Sequence, residues 1–138
     1  MKINGLYYLF FPVLIFFIII IADNSSEKKI KNIFKHSKYT CGTIISDWHQ
    51  RNNQGIGTDY EYSVNKVRHM GIYSRQIDKK DKYLVVYDSI NPNNSKLLFN
   101  HPIPNNMIVP LSGWKFSEIP IPIDSSELKD YYEELGMN

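Results

Sequence analysis

The chain has 138 residues, enough for one domain of ordinary size, with 16 lysines and arginines against 14 acids for a formal net charge of +2. A balance so close to neutral excludes a strongly basic nucleic-acid binder. The single cysteine, Cys41, excludes a disulfide framework.

The first element is an uncharged apolar run of eighteen residues, Gly5 to Ala22. At about 1.5 Å per helical residue it would reach about 27 Å, near the thickness of a bilayer's hydrocarbon core. Two readings are open for residues 1–22. A cleaved signal peptide suits Lys2 and the small Ala22. The length of the run and its FFIIII block favour a retained transmembrane anchor, with Tyr7 and Tyr8 at headgroup level and Pro12 as a tolerated kink. Residues 5–22 thus name the lipid bilayer as a partner, in a bacterial inner (cytoplasmic) membrane crossed once. Lys28, Lys29, Lys31, Lys35 and Lys38 follow the run, against Lys2 before it. This asymmetry places the C-terminal domain in the cytoplasm, and a periplasmic domain is the alternative.

Residues 23–38 read as a basic juxtamembrane helix or linker, with Ile30, Ile33 and Phe34 at helical spacing. Residues 39–100 read as a small β domain. TCGTIISDW is a first strand rich in β-branched side chains, and QRNNQGIG a loop. In TDYEYSVN the residues Tyr60, Tyr62 and Val64 alternate with Asp59, Glu61 and Ser63, the mark of a half-buried strand. Asn65 and Lys66 turn the chain into VRHMGIYSR, where Gly71 signals a bulge or close approach. KYLVVYD and SKLLFN follow, parted by the Asn91-Pro92 turn. Five prolines between 102 and 122 make 101–123 an extended wrap, which covers apolar area or an exposed strand edge with Trp114, Phe116, Ile119 and Ile121. Residues 124–136 read as an amphipathic helix, with Asp124 as N-cap and Glu127 completing a capping box. Leu128, Tyr131, Tyr132 and Leu135 form its apolar stripe. The expected fold is mainly β, a small twisted antiparallel sheet or partly open barrel of four or five strands, between an N-terminal transmembrane helix and a short C-terminal helix.

The strand Tyr60 to Asn65, the return through Gly71, and the run Asp81 to Asp88 followed by Asn91-Pro92 and Ser95 resemble a type of small bacterial protein. It is the group of single-span membrane proteins with a compact β domain of unknown function, met in Bacteroidetes. Gly113-Trp114 and Ile119-Pro120 are similar to its tails. The resemblance implies a fold and no activity. In that group the aromatic strand turns through Asn-Gly, where this chain has Lys66.

Several side-chain sets have chemistry to weigh. Cys41 with His49 or His69 suits a nucleophile and base, and Asp47 and His49 with His69 or His101 suit a zinc site. Neither set carries a spacing signature, so a packed thiol and structural histidines are the expectation. Asp59 and Glu61 read as a solvated polar face. Tyr60, Tyr62, Tyr73, Tyr83 and Tyr87 would stack single-stranded nucleic acid if exposed beside basic charge. That charge is thin, so a tyrosine core is expected, with no nucleic-acid partner. No catalytic, cofactor-binding or metal residue is assigned, and no cofactor is expected. The function expected is a non-enzymatic, membrane-anchored module that contacts an envelope protein. A small hydrolase or metal-dependent enzyme using Cys41, His49 and His69 is the alternative, and an oligonucleotide-binding barrel a weaker one.

Overall fold

The computed structural model describes residues 12, 15, 18, 25–51 and 55–134. The apolar run therefore lies outside the described residues except for Pro12, Ile15 and Ile18. Among the described residues no helix is long and apolar enough to cross a membrane. Leu135 and Gly136 of the expected terminal helix also lie outside them.

Residues 25–35 are helical, α1, and bury Ile33 and Phe34 as their spacing predicts. Six strands follow: β1 Ser37–Ile44, β2 His49–Arg51, β3 Gly55–Val64, β4 Val67–Tyr73, β5 Lys82–Asp88 and β6 Ser95–Pro102. A short 3-10 helix at Phe116–Glu118 and the helix α2, Ser125–Glu134, complete the described fold. All the ladders are antiparallel. Across the sheet the strands run β4-β3-β1-β5-β6, with β2 continuing β1 along the same edge of β3.

The fold is mainly β as expected, but it has six strands rather than four or five. The extra one is β2, which overlaps the start of the stretch read as a loop. It forms because residues 45–48 bulge out between the pairs Ile44↔Tyr60 and His49↔Gly57. Four residues there face two on β3, after which the ladder resumes. The sheet starts at Ser37, within the segment read as juxtamembrane, and β6 runs on to Pro102, inside the expected wrap.

The β3–β4 hairpin turns on Asn65 and Lys66, at φ 50° and 68°. Both central residues are left-handed, as a two-residue turn matched to strand twist requires, and Lys66 adopts this without glycine's freedom.

The sheet is not closed. Strands β4 and β6 share no hydrogen-bonded ladder, yet side chains of β3 and β4 reach β6 and the connection before it across the inside of the curl. Tyr73 stacks on Phe99 with centroids 5.9 Å apart, and the Tyr60 hydroxyl meets Ser95 Oγ at 2.9 Å. His69 Nδ1 meets Asn93 Oδ1 at 2.9 Å, and the Tyr62 hydroxyl donates to the Pro92 carbonyl at 2.5 Å. The inner face packs Ile44, Tyr60, Tyr62, Val64, Val85, Tyr87 and Leu97 with Ile77. The outer face packs Tyr39, Leu84, Val86 and Leu98 under Ile33 and Phe34 of α1, Leu128 of α2, and Ile103 and Trp114 of the wrap. Successive residues of β5 therefore point to opposite cores, which explains its unbroken apolar run.

The wrap does cap an open strand edge. Beyond Gly42 strand β3 leaves β1, and Trp114 takes its place. Trp114 N donates to Tyr39 O at 2.7 Å, and Tyr39 N donates back to Trp114 O at 2.9 Å. At α2, Asp124 Oδ1 accepts from the Ser126 N–H at 2.9 Å, so the expected N-cap holds. The expected capping box does not form. The Asp124 N–H donates to His101 Nε2 at 3.0 Å, and Glu127 turns to His101 Nδ1 and Asn100. A histidine from β6 occupies the place the sequence gives to Glu127.

Candidate functional site

Where β3 and β4 diverge from the wrap, the outer face of the sheet is left open as a cleft of about 530 Å³. Alternation along the strands builds its floor. Cys41 packs on the outer core, so Thr43 shares its face. Thr43 is paired to Glu61 on one side and Lys82 on the other, and Ser63 is paired to Arg68. These side chains line the cleft together with Lys66. The wrap supplies an apolar wall from Met107 to Leu111, tied at its ends through main-chain carbonyls. The Asn65 N–H donates to Leu111 O at 2.7 Å, and Lys82 Nζ reaches Asn105 O at 3.4 Å.

The charge of this cleft is lopsided. Lys66, Arg68 and Lys82 face it, and Glu61 is the one acid among its lining residues. Glu61 is already engaged with Arg68 in an ion pair. Burial pushes the Cys41 thiol up from its ordinary value, and Lys82 only partly offsets this. At neutral pH the thiol stays protonated, the opposite of what a nucleophile needs.

The histidines are held elsewhere. His49 and Asp59 are on the same face as Cys41, but about six and about four residues further along the ladder, roughly 20 Å and roughly 13 Å at strand rise. His49 Nδ1–H donates to Asp47 O at 2.8 Å, while Nε2 faces Asp59 Oδ2 at 3.5 Å. Asp59, read from sequence as solvated, is only 5% exposed, and its main-chain N–H donates to Ser46 Oγ. Only the bulge at 45–48 brings Ser46 and His49 to it, a contact no spacing rule reveals. The Asp47 side chain is largely exposed and faces Lys79 at 3.7 Å. His69 stacks on Tyr62 on the inner face, and His101, 2% exposed, holds α2 at the far end of β6. The structure thus brings together neither Cys41 with His49 or His69, nor Asp47 and His49 with His69 or His101. Among the described residues no three histidine, cysteine or acidic side chains group as metal ligands would.

Of the tyrosines, Tyr60, Tyr62 and Tyr87 are core residues, and burial raises the ionisation point of each phenol. Tyr73 and Tyr83 are half-buried and stack on either side of the exposed Phe99. Lys66, Arg68 and Lys82 were visible in the sequence as scattered cations. Their convergence depends on the wrap, which no local pattern places. Comparison with protein-family models, with curated proteins and with solved structures gave no match.

Proposed function

We propose that this chain is a membrane-tethered, non-enzymatic binding module, held by residues 5–22 in a bacterial inner membrane, whose cleft takes an acidic segment of a protein partner. The observation that carries the reading is the charge of the cleft. Three cations border it, its one acid is paired with one of them, Arg68, and an apolar wall stands beside them. A groove of this make-up suits an extended segment that sets carboxylates against Lys82 and Arg68 and an apolar side chain against Met107 and Val109. The sequence supports the tether through the length of the uncharged run and the lysines that follow it.

The test is photo-crosslinking in cells from a reactive amino acid at Ser63, on the cleft floor, with Lys129 on α2 as the control position. The expected result is an adduct at Ser63 whose partner peptide is acidic, absent at Lys129 and lost on Lys82→Glu with Arg68→Glu. Adducts indifferent to both position and charge reversal would refute the cleft as the binding site.

A further inference from the structure

One end of the sheet is built differently from the other. It gathers the β3–β4 turn at 65–66, the β5–β6 connection at 89–94 and the wrap at 111–113. The contacts Asn65 N to Leu111 O, Tyr62 hydroxyl to Pro92 O and Tyr87 hydroxyl to Ser112 O fasten these pieces into one rim. From Ser25 onward, the four most exposed large apolar side chains among the described residues are Ile108 at 91%, Ile90 at 72%, Leu111 at 62% and Val67 at 56%. Three of the four stand at this rim, Ile90 and Leu111 on two of its pieces and Val67 on β4 directly after the third. Single exposed apolar residues are ordinary, but three on one rim are a surface.

Charge separates the two ends as well. The three rim segments read NK, SINPNN and LSG and contain no acid, whereas the connections at the opposite end balance Asp47, Asp78 and Asp81 against Arg75, Lys79 and Lys80. Lys66 stands in the rim itself. Lys38 reaches into it, its Nζ meeting Ser112 O at 3.3 Å. Asp88, at this level, is buried and faces His36 Nδ1 at 3.5 Å. The chain also enters the domain here, because the carbonyl of His36, directly after α1, accepts from Ser89 N at 3.0 Å.

We propose that this rim seats on the surface of an anionic lipid bilayer, with Ile90, Leu111 and Val67 entering the headgroup layer and the lysines meeting lipid phosphates. The occupant follows from the form of the surface. Ile90 rises from the β5–β6 connection, Leu111 from the wrap and Val67 from the first position of β4, and such separate points suit a deformable interface better than a peptide. Lysines can keep their ammonium groups at headgroup level while their stems lie against apolar surface. The inference rests on the tether proposed above, which would hold the domain beside such a surface. The cleft opens next to the rim and shares Lys66 and Leu111 with it, so seating would also orient the cleft relative to the membrane.

The test uses the full chain in vesicles of phosphatidylcholine alone or mixed with phosphatidylglycerol. In a Cys41→Ser background, an environment-sensitive fluorophore is attached at Ile90→Cys, at Leu111→Cys or at Asn106→Cys, the last in the connection at the opposite end. Circular dichroism checks that each variant folds. Quenching by lipids carrying a shallow spin label is expected to be at least twofold stronger at Ile90 and Leu111 than at Asn106 in the anionic vesicles. It should weaken without phosphatidylglycerol and on Lys38→Glu with Lys66→Glu. Equal quenching at the three positions, or quenching indifferent to lipid charge, would overturn the proposal. Carbonate extraction of the same vesicles reports on the tether separately. A chain that washes off refutes the anchor, while the quenching pattern still decides the rim.

Discussion

The inner face of the sheet is filled by the sheet's own strands and turns, whereas the outer face is filled by segments that arrive from outside it. Inside, tyrosines stack on one another and send their hydroxyls to Ser95, Pro92 and Ser112. Outside, α1, α2 and the wrap each contribute a few apolar side chains to cover β1, β5 and β6. The difference teaches where the binding surface comes from. A face closed by its own strands opens along the unpaired β4–β6 seam, while a face covered piecewise leaves an opening wherever the pieces fail to meet. The cleft between the wrap and β3–β4 is such an opening.

Two adjacent leucines give the sharpest way to break this comparison. Leu97 packs on the inner core and Leu98 on the outer, and both are buried. Leu97→Ala and Leu98→Ala should each cost about 2–5 kcal/mol in urea unfolding. Their local signatures should differ. Leu98→Ala should speed amide exchange in residues 25–35 and 125–134, and Leu97→Ala should leave those segments protected. Equal loosening of both helices would mean that the two cores act as one.

Alkaline pH sharpens the same contrast without a substitution. Burial pushes the phenol of Tyr39 up to about 12, and burial also raises Tyr60, Tyr62 and Tyr87. In the unfolded chain tyrosine ionises near 10. Above about pH 10 the unfolded state therefore releases protons that the folded state keeps, and stability falls as pH rises. Each such tyrosine contributes a slope of about 1.4 kcal/mol per pH unit until its folded-state value is passed. Three of the four are on the inner face. Tyr39→Phe should thus remove one share and leave most of the alkaline loss, as thermal melts between about pH 9 and about pH 12 would show.

Gly71 tests how rigid the inner packing is. A methyl group there would run into the ring of Tyr60, which is buried, stacked on Tyr62 and bonded to Ser95. The ring has nowhere to swing, so Gly71→Ala should cost about 1–3 kcal/mol. The double variant Gly71→Ala with Tyr60→Phe should recover little, because most of the ring remains. The sequence marked Gly71 as a close approach without naming the ring it approaches. The tyrosine core was legible because alternation fixes a face whatever the partner. Asn65-Lys66 was legible as a turn because the runs on each side leave it nowhere else. Other features were hidden for a common reason. Strand β2, the burial of Asp59 and the cleft all depend on residues distant in sequence being brought together, by the bulge at 45–48 or by the wrap. No local period encodes either.

The junction of α2 with the sheet is where the outer face should yield most selectively. His101→Ala removes the acceptor of the Asp124 N–H and the partner of Glu127 at once. It should cost about 1–3 kcal/mol, the range for stranding polar groups with little access to water. Asp124→Ala should have a smaller effect, because its carboxylate is exposed and caps only the Ser126 end of the turn. The Ser126 hydroxyl and N–H hold the Asp124 carboxyl below its ordinary value. Its contribution is therefore complete above the usual carboxylate range and is lost as pH falls through the folded-state value. Asp124→Ala should abolish that acid-side step in the helix signal, and Asp124→Asn should keep the cap while removing the pH dependence. Since His101 and Asp124 both act on the outer face, neither change should alter amide protection at Tyr60 or Tyr87. If inner protection fell with them, α2 would be holding the sheet's curl as well as covering its back.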